Sequence, residues 1–116
     1  MQGKRILLGV SGGIAAYKAA FLASRLTQAG ALVDVIMTAG AERFVTPLTF
    51  QGVTGRPAHD DVFGSLPDGR IAHVNLAKGA DLLVIAPLTA HTLARLAHGL
   101  ADDLLTVTAL ACTAPL

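Results

Sequence analysis

Hydrophobic and polar positions change period several times along the chain, and the changes mark elements. Arg5 to Val10 (RILLGV) is a short apolar run with no alternation, closed by Ser11-Gly12-Gly13. Continuous apolarity over so few residues predicts a parallel strand buried on both faces. From Ile14 to Ala29 the spacing becomes helical. Lys18, Arg25 and Gln28 fall on one face with Ser24 beside them, and Ala, Leu, Phe and Ile fill the rest. Gly30 is the expected stop. Leu32 to Thr38 (LVDVIMT) predicts a second strand, so the first third of the chain reads as a βαβ unit.

Beyond it, Ala39 to Phe44 predicts a short helix and Pro47 opens a turn through Gln51. Gly52 to Arg70 holds Gly55, Pro57, Gly64, Pro67 and Gly69, together with Asp60, Asp61 and Asp68. That composition predicts an excursion or flap with a turn at Pro67-Asp68-Gly69. Ile71 to Gly79 reads as a loop passing into a short helix. Asp81 to Pro87 (DLLVIAP) is a third strand, and Thr89 to His98 is a helix stopped by Gly99. Ala101 to Cys112 is a further apolar helix opened by Asp102. Thr106 and Thr108 lower its propensity and leave a strand open for part of it. Ala114-Pro115-Leu116 reads as the approach to another strand. The expected fold is α/β: a three-layer, Rossmann-like (flavodoxin-like) parallel sheet with helices on both faces. Residues 1–116 form one domain, expected to be cut short on its C-terminal side.

Composition narrows the function. Of 116 residues, 53% are hydrophobic and 15% charged, which excludes a disordered chain. Nine Lys and Arg against eight Asp and Glu give a net charge of +1. A strongly basic nucleic-acid module is therefore not expected. Aromatic content of 4% without Trp gives little support to base stacking. A single cysteine, Cys112, permits no internal disulfide and is expected to pack as a small hydrophobe. The start lacks the apolar stretch of a signal peptide, and no run of 18 apolar residues exists, so the expected location is cytoplasmic and away from membranes.

Candidate chemistry gathers at predicted strand ends. In Gly9-Val10-Ser11-Gly12-Gly13-Ile14 the glycines allow a tight turn and close backbone approach. A phosphate there would meet helix-start amides and the Ser11 hydroxyl. The offsets match neither the dinucleotide fingerprint nor a Walker A loop. Plain strand-to-helix geometry is the alternative reading of the glycines, with phosphate contact preferred. Thr38 ends the second strand and reads as a cap, a ligand contact, or both. Thr89, Ala90 and His91 follow the third strand in Pro87-Leu88-Thr89-Ala90-His91-Thr92 and carry the same two readings. His73 is a titratable candidate for acid–base work, in competition with His59, His91 and His98. The histidines show no metal-binding spacing, so no metal is expected. Ser11 lacks the offset of a nucleophile elbow, and adjacent Asp102 and Asp103 diverge on a helix, which makes them a poor acid–base pair.

Taken in order, four blocks resemble the homo-oligomeric flavin-containing cysteine decarboxylases. They are GVSGGIAAYK at Gly9–Lys18, MTAGAERFVTPLTFQ at Met37–Gln51, the His73 block running into ADLLVIAPLTAHTLARLAHGLADDLLT, and Ala111–Pro115. The resemblance spans Lys4 to Pro115. It implies FMN as cofactor, with Ser11, Gly12 and Gly13 in the first flavin loop, Thr38 near the flavin phosphate, and Thr89, Ala90 and His91 in a second contact block. It implies His73 as the catalytic residue, interacting with a cysteinyl carboxylate. The implied reaction is decarboxylation of 4′-phospho-N-pantothenoylcysteine to 4′-phosphopantetheine in coenzyme A biosynthesis. Flavin oxidation of the cysteinyl side chain toward a thioaldehyde lets the electrons left by CO₂ be delocalised, and the enethiol formed is then reduced. It also implies a homotrimer or homododecamer with FMN between subunits. His91 and Asp102 stand where the family usually has Asn. In the family a PxMNxxM substrate motif and a flap cysteine follow the point matched by Pro115, and residues 1–116 contain neither. Three other readings stay open: a decarboxylase of peptide C-terminal cysteine, a flavin prenyltransferase-like enzyme, and a non-catalytic flavin-binding regulatory subunit.

Overall fold

The structure is a computed structural model that describes residues 2–59, 78–99 and 103–112. Strand β1 (Arg5–Val10) leads through helix α1 (Ala16–Gln28) to β2 (Leu32–Met37). A 3₁₀ turn (Ala41–Arg43) and α2 (Pro47–Thr54) follow, then a two-residue strand β3 (Ala58–His59). The chain continues with β4 (Leu82–Ile85), α3 (Ala90–His98) and α4 (Leu104–Ala111). All strand pairs are parallel, in the order β3-β2-β1-β4. Three of these strands match those expected from apolar runs. The fourth, β3, falls inside the segment expected to be an excursion. The same segment also loses Gly52, which belongs to α2 rather than to a loop.

The apolar runs are explained by a sheet covered on both faces. Ile6, Leu8 and Val10 of β1 join Val33, Val35 and Met37 of β2 in one core, against Ala16, Ala19 and Ala23 of α1 and Phe50 of α2. On the opposite face Leu7, Ile36 and Leu83 pack with Leu104 and Leu105 of α4. Each Val, Leu, Ile, Met or Phe side chain so withdrawn from water contributes about 1.5–3 kcal/mol. Small residues on the inner face of α1 let that helix lie close to the sheet. The outer face of the helix carries Tyr17 and Phe21, at 55% and 70% exposure, and Ile14 just before it is 82% exposed. On the α4 side, Gly9 serves close approach: a Cβ there would stand 2.4 Å from a methyl of Leu105.

Helix ends follow the sequence with two corrections. Gly30, with φ of 95°, sits just past α1, and Gly55 and Gly99 end α2 and α3 in the left-handed region at 70° and 69°. Pro47 begins an eight-residue helix rather than an isolated turn, because the Thr46 hydroxyl accepts from the Thr49 amide. The last helix is capped by Asp103, not Asp102. Asp103 and Thr106 form a reciprocal capping box, so Thr106 helps to start the helix that its β-branching would otherwise disfavour. The expected turn at Pro67-Asp68-Gly69 and the strand approach at Ala114-Pro115-Leu116 lie outside the described residues.

One buried charge anchors the sheet away from the loops described next. Asp34 of β2 is 4% exposed. Its carboxylate accepts from Arg56 Nε at 2.7 Å and from Arg5 Nη2 at 3.4 Å. Arg56 immediately precedes the Pro57–Ala58 entry to β3, so this ion pair ties the shortest strand to its neighbour.

Candidate functional site

Strand register decides where the loops emerge. Val10 lies beside Met37, and Gly9 lies beside both Ile36 and Ile85. The three strands therefore end level, and the segments after β1, β2 and β4 leave the same edge of the sheet side by side. From β1 the order runs outward to β2 and β3, and β4 is then placed on the other side of β1. Such a reversal opens a crevice beyond the carboxyl ends of the strands, which is where open α/β sheets bind ligands.

A cleft of about 490 Å³ occupies that place, lined by positions 12, 38–40, 89, 91, 92 and 95 and by Asp103. Its volume is in the range of small-molecule and cofactor sites. Backbone packing shapes its floor. A Cβ on Gly12 would come within 2.6 Å of the Gly40 carbonyl carbon, so the loops after β1 and β2 touch main chain to main chain. Only glycine permits that approach. The Thr38 hydroxyl accepts from the Ala41 amide at 3.2 Å. Thr89 is the N-cap of α3, its hydroxyl accepting from the Thr92 amide at 3.2 Å. Thr89 is thus a cap and a cleft residue at once, whereas Thr38 lines the cleft two positions before Gly40, the N-cap of the 3₁₀ turn, so the cap expected at Thr38 falls on Gly40 instead. His91 lines the cleft from the exposed side of α3, with Arg95 one turn further on.

Of the residues expected from sequence, Gly12, Thr38, Thr89 and His91 come together in this lining. Ser11, Gly13 and Ala90 adjoin it without lining it. Ser11 is completely buried. Its hydroxyl donates to the Pro87 carbonyl and accepts from the Thr89 amide at 2.9 Å. The expectation of a Ser11 hydroxyl turned toward a phosphate therefore gives way to a tie between two loops. The reason is tertiary: burying Ser11 beside Pro87 of the neighbouring loop requires its polar atom to be paired. Gly13 sits against Pro87 and Thr89, 3.8 and 4.0 Å from where its Cβ would be. His73 lies outside the described residues. Ala39 and Thr92 also line the cleft, from within the strand-end blocks expected at Thr38 and at Pro87–Thr92, while Gly40, Arg95 and Asp103 are lining residues that the sequence did not mark as site residues. For Asp103 a signal existed, because Asp-x-x-Thr is capping-box spacing. Arg95 stands four positions after His91, hence on the same helical face. Among the described residues no group of three or more His, Cys, Asp or Glu could hold a metal ion, and no helix is long and apolar enough to cross a membrane.

Comparison with known proteins places this geometry in a class. The chain belongs to the Flavoprotein family, whose model matches residues 1–115. It is 51% identical over 115 residues to the coenzyme A biosynthesis bifunctional protein CoaBC of Vibrio cholerae and 50% identical to that of Bacillus subtilis, in both cases over 99% of this chain. The chain spans 29% and 28% of the lengths of these two relatives. Among solved structures, the FMN-dependent cysteine decarboxylase SpaF superposes with a TM-score of 0.87 and 38% identity, covering 97% of this chain and 65% of that one. A PPC decarboxylase mutant complexed with pantothenoylaminoethenethiol superposes at 0.80 with 34% identity, over 97% of this chain and 62% of that one. The doubly wound, three-layer α/β architecture is shared with these structures.

Proposed function

We propose that this chain is an FMN-binding, cysteine-decarboxylating domain that converts 4′-phospho-N-pantothenoylcysteine to 4′-phosphopantetheine in coenzyme A biosynthesis. The observation that carries the reading is the cleft at the level strand ends. Its donor set suits a flavin phosphate: main chain at Gly12 and Gly40, hydroxyls at Thr38 and Thr89, and the start of α3. The close Gly12–Gly40 approach brings the main chain of both loops to the cleft floor. Similarity to CoaBC relatives and to FMN-dependent cysteine decarboxylases supplies the reaction class.

The chain's own residues then divide the work. Gly12, Thr38 and Thr89 hold the phosphate end, Gly13 and Ala90 flank it, and Ser11 fixes the relative position of the two loops. His91 offers an imidazole donor or acceptor where the family usually has an amide. His73 is assigned as the residue that meets the cysteinyl carboxylate and handles its proton. Bound FMN would supply the two-electron oxidation that makes loss of CO₂ possible, while the protein orients the substrate. The assembly in this reading is a homotrimer or homododecamer in the cytoplasm, and residues 1–116 are the flavoprotein part of a longer functional unit. Exposed Tyr17 and Phe21 of α1, with Ile14 just before the helix, support such burial between copies. A light-scattering mass of one chain would count against it.

Release of CO₂ from 4′-phospho-N-pantothenoylcysteine by the FMN-loaded protein tests the activity. The His73→Asn variant is expected to keep FMN and to lose CO₂ release; full activity in that variant would remove His73 from the role. The likeness to SpaF supports cysteine decarboxylation without specifying what carries the cysteine, and a second reading is decarboxylation of a peptide's C-terminal cysteine. Turnover of such a peptide in preference to the pantothenoyl compound would select it.

A further inference from the structure

The cleft carries an ion pair that the flavin reading leaves unused. Asp103 reaches the lining because α4 needs an acceptor at its start. Its Oδ1 accepts from the Thr106 amide and the Thr106 hydroxyl, both at 2.8 Å, and its own amide donates to Thr106 Oγ1 at 3.3 Å. The helix is thereby capped, but a carboxylate is placed among hydroxyls and main chain otherwise suited to an anion. Its side chain is only 21% exposed, so water screens it incompletely. Arg95, on the neighbouring helix α3, donates from Nη1 to the other oxygen, Oδ2, at 3.0 Å, and also lines the cleft.

We infer that Arg95 and Asp103 form a charge-compensating pair that makes this cleft accept a phosphate monoester. Arg95 cancels the negative charge that capping α4 imposes and brings a guanidinium to the dianion. Asp103 is a positioning residue: one carboxylate oxygen holds the start of α4 and the other holds the arginine. The inference rests on the flavin reading and deepens it. The shared chemistry is a phosphate monoester, which both FMN and the phosphopantothenoyl compound carry. Removing the Arg95 guanidinium has two consequences, since a favourable charge is lost and an uncompensated carboxylate is left facing the ligand. Asn caps a helix about as well as Asp. Asp103→Asn therefore removes the carboxylate charge while keeping α4 capped, and it is expected to rescue the loss of the Arg95 charge.

Affinities of the purified protein for FMN and riboflavin, measured by flavin fluorescence quenching, test this directly. Arg95→Gln is expected to weaken FMN on the order of 10- to 100-fold while changing riboflavin little. Arg95→Lys, which keeps the charge, should stay near the parent, and Arg95→Gln/Asp103→Asn should recover most of the loss. Calorimetry with pantothenoylcysteine, with and without its 4′-phosphate, separates the sources. A phosphate-dependent loss confined to that pair assigns the contact to substrate rather than flavin and supports the same inference. Equal losses for both members of both pairs would overturn it, as would a double variant no better than Arg95→Gln. If the unsubstituted protein bound neither flavin, the flavin reading would fall and this inference with it. If it preferred FMN and Arg95→Gln kept every phosphate preference, the inference alone would fall.

Discussion

The Thr89 backbone amide donates a 2.9 Å hydrogen bond to the side-chain oxygen of Ser11, a residue 78 positions earlier. The same hydroxyl donates to the Pro87 carbonyl, and the Ser11 amide donates to that carbonyl at 3.3 Å. A buried side chain thus locks the loop after β1 to the loop after β4. Ser11→Ala would leave the Thr89 amide without this acceptor and is expected to cost about 1–3 kcal/mol. Chemical denaturation measures that loss, and FMN affinity should fall with it because both loops frame the cleft. Unchanged stability would show that the tie is dispensable.

Two glycines predict opposite outcomes. Gly12→Ala forces a Cβ to within 2.6 Å of the Gly40 main chain, where neither partner has a flexible side chain to move aside. Overpacking of this kind costs about 1–3 kcal/mol, and the cleft floor would be displaced. Gly52 lies inside α2, and an added methyl there would meet nothing within 4 Å. Gly52→Ala is expected to stabilise the protein by about 0.5–1 kcal/mol through helix propensity. Thermal melts of the pair side by side check both signs.

At the Asp34–Arg56 ion pair, Asp34→Ala is expected to lower stability by about 2 kcal/mol, the scale of hydrogen bonds to a charged group. The side chains of Arg56 and Arg5 are 34% and 39% exposed and can turn toward water, which keeps the loss below that of a fully buried pair. Urea denaturation reads the change. Flavin affinity should be less affected than in Ser11→Ala, because neither Asp34 nor Arg56 lines the cleft.

What the sequence made legible follows the strength of local signals. Two-faced burial writes itself as RILLGV, LVDVIM and DLLVIAP, and left-handed caps write themselves as Gly30 and Gly99. Strand β3 left no such mark. Two residues, Ala58 and His59, pair with Val35 and Ile36 because the sheet edge and the Asp34–Arg56 bond place them there. Tertiary context likewise overrides Gly52 in α2. At the cleft, Gly12, Thr38, Thr89 and His91 were legible as residues at strand ends. Ser11 was legible as important, but its orientation was not, since that depends on Pro87, distant in sequence and placed at the end of the neighbouring strand β4. Arg95 and Asp103 escaped because each looks like an ordinary helix residue until α3 and α4 are brought together.

In the proposed function, main chain and hydroxyls at the level ends of β1, β2 and β4 grip the phosphate of FMN. Amide chemical shifts followed during parallel titrations with FMN and riboflavin test it most directly. The account predicts that the FMN-specific changes centre on Gly12, Gly40 and Thr89. Changes centred instead on the apolar groove of Leu88, Leu93 and Leu96 beside β4, or identical maps for the two flavins, would contradict it.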